Sequence, residues 1–552
     1  MKKYFLAAII ILAAVVRLVG LSSLPSGFTP DEASFGYDAY SLLTTGKDQW
    51  GNSYPLVFKS FGDYKLPLYG YLAMPSIAVF GLNEFAVRLP NAVVGTIAVL
   101  ATYLLVNELT KKREIALLAA LILSISPWHI PLSRGAFEAN LTTALMPLMI
   151  YFYSRGLKNS RYFIVCSIFF ALNLFSYHSA RIVTPVILFT TIILYRPKIK
   201  LNRWVKVSIS IVGISSVVAT LLMFIGGSRL SSASIVSEAV NAGNIQYDAV
   251  LLGLSPFLSR LINNKVFYIL EILWKNYLQY FSFEYLFING PGEGTYGMRP
   301  GTGTLFLIDL AFISGYLLRL TQKRIEKLDL LLIIWILIAP IPAALSNGPG
   351  YAANRAAVMV PAIQIVAAIG GWFLLQFIKE NTRKLALGTY LVFSVASSCL
   401  FLEKYVYHQP IEQGKQMIYG TSELVQYIKS VESTYQTIVI SPSITEPQIY
   451  IAFYSKIDPR IFQDNSLNWD LSLSKTGWLD QLVDYKLGKY VFSSIDIPRL
   501  RNWENTLIVG TFEDFTNVID ITPKKVFSYK NGTPAYWVVD LDDTVYAFNS
   551  KI

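Results

Sequence analysis

A mainly α, polytopic helical membrane protein is the fold class this sequence predicts, with about 11 transmembrane helices, interfacial helices in the outer loops and a C-terminal soluble α/β domain. Three observations predict it. The 552 residues are 53% hydrophobic and only 15% charged, with a mean hydropathy of +0.44, too apolar for a soluble protein of this size. Apolar stretches near the ~20 residues that cross a bilayer recur as far as residue 403. Lys and Arg gather in every second connection between them, the bias expected of loops on the cytoplasmic side.

The first stretch, 4–21, follows Lys2-Lys3 and has the look of a secretory signal. The segment Val19-Gly20-Leu21-Ser22-Ser23 is a weak cleavage site, so it reads as an uncleaved span. The next stretches run at 84–107, 115–133, 141–154, 162–177, 183–195, 206–226, 302–318, 329–345, 356–378 and 386–403. The clusters Lys2-Lys3, Lys111-Lys112-Arg113, Arg155/Lys158/Arg161, Arg196/Lys198/Lys200/Arg203/Lys206, Arg319/Lys323/Arg324/Lys327 and Lys379/Arg383/Lys384 then share one face. That face is the cytoplasm, which places a multi-pass chain in the cytoplasmic membrane with its N-terminus inside. The net charge of +11 is thus a topology signal. A nucleic-acid partner, which would want the basic residues on one soluble face, is excluded.

Three long segments fall outside the cytoplasm: 22–83, 227–301 and everything after about 404. In the first, Lys65 to Pro75 continues as a short, Pro-broken apolar run to Gly81, which suits an interfacial helix anchored by Tyr69 and Tyr71. The second predicts interfacial helices, an aromatic run from Trp274 to Phe287 and a mobile loop at Gly290-Pro291-Gly292-Glu293-Gly294. In the third, Thr421-Ser422 can cap a helix through Leu424, Val425 and Ile428. Ile438-Val439-Ile440 and Tyr490-Val491-Phe492 read as buried strands, and Lys525 to Leu541 as a hairpin around Asn531-Gly532. The domains are therefore 1–404, transmembrane, and 405–552, an extracytoplasmic soluble α/β domain. Cys166 and Cys399 lie in different spans and suit core packing rather than a disulfide or metal framework.

The spans are nearly free of charge at mid-depth, Asp309 being the main exception and Arg17 lying near an outer end. An ion-coupled transporter would carry acids and bases there. Polar groups gather instead where outward-running spans end: Asp31, Glu32, Asp38, Asp63 and Lys65; His129, Arg134, Glu138 and Asn140; Tyr177, His178 and Arg181; Asn347, Asn354 and Arg355. Lys65, Arg134, Arg181 and Arg355 beside an acidic pair suit an anionic phosphate held next to a carboxylate base. Each residue also has a plainer reading. Asp31 after Pro30 suits a helix N-cap, Glu32, Asp63 and Glu138 suit neutralisation of nearby bases, the basic side chains suit interface snorkelling, His178 suits packing, and His129 beside Trp128 suits an interface anchor.

The chain resembles the polytopic C-type glycosyltransferases that use polyprenyl-phosphate sugars, in particular the group containing the dolichol-phosphate-mannose protein mannosyltransferases and the aminoarabinose transferase of lipid A. The resemblance rests on Pro30-Asp31-Glu32, Lys65-Leu66-Pro67-Leu68-Tyr69, Phe85-Ala86-Val87-Arg88-Leu89-Pro90, Ser133-Arg134, and Arg355 with Pro361, and it covers about residues 1–400. It implies an inverting transfer from a polyprenyl-phosphate sugar donor to an acceptor hydroxyl of a lipid, glycan or protein at the outer face, in contact with membrane lipid. It also implies Asp31 as the catalytic aspartate, Glu32 as a supporting or cation-linked second acid, and Lys65 on the donor phosphate with Arg134, Arg181 and Arg355 sharing that task. Asp63, Glu138, Tyr177 and His178 would support the site.

The chemistry stands without the family. A glycosyl phosphate leaves as an anion that cations stabilise, and a carboxylate can accept the incoming hydroxyl's proton. No cofactor is required; a divalent cation, if one takes part, would bind Asp31 and Glu32 through oxygen. Relatives often carry an aspartate after the third span where this chain has Glu138 and Asn140. A surface-polysaccharide ligase or polymerase, and a lipid-linked glycan flippase, are the alternatives; the flippase would want charges lining the spans.

Overall fold

The computed structural model describes residues 2–195, 201–225, 235–236, 241–291, 298, 301–346, 353–469, 479, 482, 484–500, 503–516 and 521–542. Asn347, the Gly292–Gly294 part of the expected loop and the basic positions 196, 198 and 200 lie outside the described residues. The first helices are α1 (Lys2–Leu18), α2 (Pro30–Thr45), α3 (Leu68–Phe80), α4 (Glu84–Thr110), α5 (Arg113–Ser124), α6 (His129–Arg134), α7 (Leu141–Gly156), α8 (Tyr162–Leu174), α9 (His178–Leu194) and α10 (Arg203–Ile225). Contacts divide the chain into two compact units. One is Met1–Val19, Asn91–Ser133 and Phe137–Glu403; the other is Gly20–Pro90, Arg134–Ala136 and Lys404–Ile552.

The first unit is helical, and each apolar stretch expected to span carries a helix. The chain is a multi-pass membrane protein. Among the described residues, Glu84–Thr110, Arg203–Met223, Lys327–Ala344, Ala357–Leu375 and Glu380–Glu412 are long and apolar enough to cross a membrane. The stretch 115–133 breaks between α5 and α6, where Pro127 and Pro131 remove backbone donors. Small residues let these helices approach closely. A Cβ on Gly370 would sit 1.9 Å from the carbonyl oxygen of Phe312, so the helix Ala362–Leu375 packs directly on Asp309–Gln322. Trp335, fully buried, donates its indole N–H to the carbonyl of Val358 at 2.7 Å.

Arg17, expected near an outer end of the first span, is buried in this unit. It donates to the carbonyls of Leu123 and Ser124, the last of α5, and its Nη2 lies 2.8 Å from His129 Nδ1. The guanidinium thus satisfies carbonyls that a helix C-terminus leaves open. His129, read from sequence as an interface anchor, is wholly buried, with Nε2 3.0 Å from the Thr143 hydroxyl. Cys166 is buried as expected of core packing, whereas Cys399 is exposed.

The second unit combines a short hairpin, β1 (Phe58–Lys59) with β2 (Tyr64–Lys65), and a six-stranded sheet of β3 (Thr437–Ile440), β4 (Asp484–Leu487), β5 (Tyr490–Ser493), β6 (Thr506–Thr511), β7 (Lys525–Ser528) and β8 (Pro534–Asp540). The order is β4-β5-β3-β6-β8-β7, with β3 parallel to β5 and β6 and the remaining pairs antiparallel. Buried Val and Ile fill the central strands. The strands foreseen at 438–440 and 490–492 and the hairpin at Asn531-Gly532 are present. The helix Thr421–Val431 starts one residue differently: Gly420, in the left-handed region, is its N-cap, and no side chain caps it.

The helix α2 is the hub of this unit. It packs on α3 and on the helices Pro447–Tyr454 and Pro459–Ser466, and the Tyr450 hydroxyl donates to the Phe28 carbonyl at 2.7 Å just before it. Gly36 makes that packing fit, since a Cβ there would lie 2.5 Å from Val87 Cγ2 and 2.7 Å from Phe453 Cε2. Gly36→Val is therefore expected to destabilise the protein by about 1–3 kcal/mol through overpacking, read as a lowered thermal unfolding midpoint in detergent. Tyr69 and Tyr71, expected as interface anchors, are tied to protein. Tyr69 is fully buried and donates to the Val87 carbonyl, and Tyr71 donates to that of Pro55.

Candidate active site

Asp31 and Glu32 open α2. Thr29 is the N-cap, its hydroxyl accepting from the Glu32 N–H while the Glu32 carboxylate accepts from the Thr29 N–H, a complete capping box, with Pro30 at the first helical position. The N-cap reading of Asp31 therefore falls to Thr29, two residues earlier. Asp31 sits one turn face away from Glu32, and the two adjacent acids meet different partners.

Asp31 is half-exposed, and its Oδ1 lies 2.5 Å from the ammonium of Lys65, whose side chain is 3% exposed. Lys65 comes from β2, where the β1–β2 hairpin turns it inward. Its ammonium also donates to the Ser60 hydroxyl at 2.7 Å and faces the rings of Phe61 at 4.9 Å and Phe35 at 5.7 Å. The ring faces stabilise the buried ammonium electrostatically, and Asp31 is its half-exposed carboxylate partner. Asp63 belongs to the turn of this hairpin, its carbonyl accepting from the Ser60 N–H at 2.8 Å.

Glu32 is fully buried. Its Oε1 accepts from Arg88 Nε at 2.8 Å and the Ala136 N–H at 2.9 Å, and its Oε2 from the Thr29 N–H at 3.0 Å, the Thr29 hydroxyl at 3.3 Å and Arg88 Nη2 at 3.3 Å. Arg88 spends its other donors on the carbonyls of Leu21, Pro25 and Gly27. The plainer reading of Glu32, neutralising a nearby base, is the arrangement found. Glu32 is thus surrounded by N–H and O–H donors, while Asp31 faces the Lys65 ammonium.

Arg134 joins the same unit. It is buried, donates from Nη2 to the Leu24 carbonyl at 3.3 Å and lies over the ring of Tyr405 at 5.8 Å. One helical stretch deeper along α2, Asp38 is buried and accepts from the Gln49 N–H at 3.0 Å and its side-chain amide at 3.2 Å. Burial, with Asp48 close by, holds the Asp38 carboxyl well above the usual carboxylate range.

The structure thus brings Asp31, Glu32, Asp63, Lys65 and Arg134 into one unit. Arg181, Arg355, Tyr177, His178 and Glu138 belong to the other. There, Arg181 is buried at the start of α9, with Nε donating to the Leu174 carbonyl at 3.2 Å and Nη2 making no hydrogen bond among the described residues. Arg355 donates to the Ser346 hydroxyl at 3.1 Å, and its carbonyl accepts from Ser179. The rings of Tyr177 and His178 stand 6.3 Å apart, edge to face. Glu138 opens a single turn ending at Asn140, which is fully buried and bonded to Asn91 at 2.9 Å.

Sequence reading missed Arg88 as a site residue. The signal was available: an arginine near the start of an apolar span needs a buried anion, and Glu32 was the acid left over. Tyr405 carried no such signal, because it lies more than 250 positions from Arg134.

Residues 65–224 match the family described as dolichyl-phosphate-mannose-protein mannosyltransferase. The fold is that of ArnT from Cupriavidus metallidurans: the structure of that protein bound to undecaprenyl phosphate superposes with a TM-score of 0.55 at 11% identity, covering 98% of each chain. Its apo form gives a TM-score of 0.53 at 10% identity, covering 97% of this chain and 98% of that one. An uncharacterized protein of Aquifex aeolicus (strain VF5) is 27% identical over 153 residues, 28% of this chain and 29% of that relative's length.

Proposed function

We propose that this chain is an inverting glycosyltransferase of the cytoplasmic membrane that moves a sugar from a polyprenyl-phosphate donor to an acceptor hydroxyl at the outer face. The observation that carries the reading is the pair formed by the buried Lys65 ammonium and the half-exposed Asp31 carboxylate, 2.5 Å apart. The fold shared with ArnT, solved with undecaprenyl phosphate, and the matched family segment, which begins at Lys65 itself, support it.

The donor phosphate approaches Lys65 and takes the place of Asp31 Oδ1 on the ammonium. The exchange leaves the Asp31 carboxylate beside the reacting centre with an oxygen turned to the acceptor. The acceptor oxygen attacks the anomeric carbon, its proton passes to Asp31, and the bond between that carbon and the phosphate oxygen breaks with its electron pair on phosphate. Lys65 stabilises the charge that grows there, and its burial makes the interaction stronger than in water. Arg134 adds positive potential in the same unit. Glu32 fixes the α2 N-terminus through Arg88 and so positions Asp31. We extend the phosphate-binding role to Arg181 and Arg355 of the first unit, with Tyr177, His178 and Glu138 as supporting residues.

Mass spectrometry of lipid retained by the purified protein tests this. An isoprenoid phosphate, free or bearing one sugar, is the expected result. Retention of only bulk phospholipid after mild extraction from donor-producing cells contradicts it.

A further inference from the structure

We infer that a pocket in the Asp31 unit, apart from the Lys65 site, is the binding site for a sugar ring of the acceptor, a subsite that rests on the transferase reading. The cavity has a volume of about 270 Å³ and is lined by Phe28, Glu84, Tyr454, Ser422, Glu423 and Lys530 among others. That is just under the ~300–1,000 Å³ of sites for drug-sized ligands, room for one ring and too little for an isoprenoid chain.

Its chemistry selects the class of ligand. A pyranose offers hydroxyls that donate and accept around its rim and a C–H face that packs on aromatic rings. The cavity has both counterparts. Carboxylates of Glu84 and Glu423 accept charge-assisted hydrogen bonds from hydroxyls, and the Ser422 hydroxyl and Lys530 ammonium donate. Tyr454 supplies an aromatic ring to the wall, packed against the buried Phe28 with ring centroids 6.2 Å apart. The Tyr454 hydroxyl donates to Glu84 Oε1 at 2.5 Å, and Lys530 lies over the Tyr419 ring at 5.3 Å, so the polar groups are already oriented. Two carboxylates against one ammonium disfavour a phosphate or carboxylate ligand, which separates this cavity from the Lys65 site and points to a neutral or amino sugar.

Its place in the chain gives the ring a purpose. Gly27 and Phe28 line the cavity and lead directly into Thr29, the cap of α2, so the cavity wall and the Asp31 base share one rigid turn. The Gly27 carbonyl also accepts from Arg88 Nη2 at 2.5 Å, the same guanidinium that holds Glu32. An acceptor glycan anchored by one ring in this pocket would thereby be positioned relative to Asp31.

The test uses the full-length detergent-purified enzyme and saturation-transfer NMR with methyl hexosides and methyl glucosaminide as probes. At least one of them is expected to receive saturation, Ser422→Trp to weaken that signal about tenfold or more by filling the cavity, Glu423→Gln to weaken it in the same direction, and millimolar inorganic phosphate to leave it unchanged. Ser422→Trp should retain isoprenoid phosphate as the wild type does. No signal from any probe, equal signals in wild type and Ser422→Trp, or competition by phosphate overturns the assignment. If the pocket fails in this way while the wild type still carries the isoprenoid lipid, the transferase reading survives; loss of that lipid from the wild type strikes the transferase reading instead.

Discussion

Asp31→Asn is expected to lower sugar transfer by about 10²–10⁴-fold, the span typical of a lost general base, while leaving the bound isoprenoid phosphate in place. The geometry separates the two effects. The amide keeps an oxygen that can accept from the Lys65 ammonium, and Asp31 is half-exposed with Thr29 serving as the cap, so the lost charge costs folding less than stranding a partner of a fully buried pair would. What the amide lacks is the capacity to take up the acceptor's proton. Initial rates in membranes supplied with lipid donor should therefore fall in kcat with little change in the donor KM. A variant that transfers at the wild-type rate removes Asp31 from the chemistry. The same result would favour a ligase, which has no need of an acid directly after the first span.

The second large effect concerns folding. Glu32→Ala should destabilise the protein by about 3–5 kcal/mol, because it strands the Arg88 guanidinium in a fully buried position without its counter-charge and removes the acceptor for the Thr29 and Ala136 N–H groups. Arg88→Met should be comparably damaging. The double variant Glu32→Ala/Arg88→Met should be far less so than the sum, since no unpaired charge remains. Thermal unfolding in detergent, followed by tryptophan fluorescence, reads all three. If Glu32→Ala unfolds like the wild type yet transfers no sugar, then Glu32 acts on substrate rather than on the frame.

The helical membrane part of the fold could be read from sequence because a bilayer demands long apolar runs, and every such run carries a helix. The strands at 437–440 and 490–493 and the turn at Asn531-Gly532 were equally legible, being local patterns of Val, Ile and Gly. Three features were not. The residues from Pro30 form a largely buried 16-residue helix of too low hydropathy to stand out, much of its burial coming from Pro447–Tyr454 and Pro459–Ser466, more than 400 positions away. The grouping of 20–90 with 404–552 in one unit is likewise a matter of long-range packing that periodicity does not record. At the candidate site, the chemistry of Asp31 and Lys65 was visible as residue types, but which acid faced which base was not. Adjacent residues on a helix point about 100° apart, and that angle sends Asp31 to Lys65 and Glu32 to Arg88.

The central claim is that the Lys65 ammonium, now held by Asp31, is the seat of the donor phosphate. The affinity of the purified protein for undecaprenyl phosphate, compared between wild type and Lys65→Met, tests it most directly. A charge-assisted contact is worth about 1.5–3 kcal/mol, so Lys65→Met should weaken binding by about 10–100-fold; equal affinity in the two proteins would contradict the account.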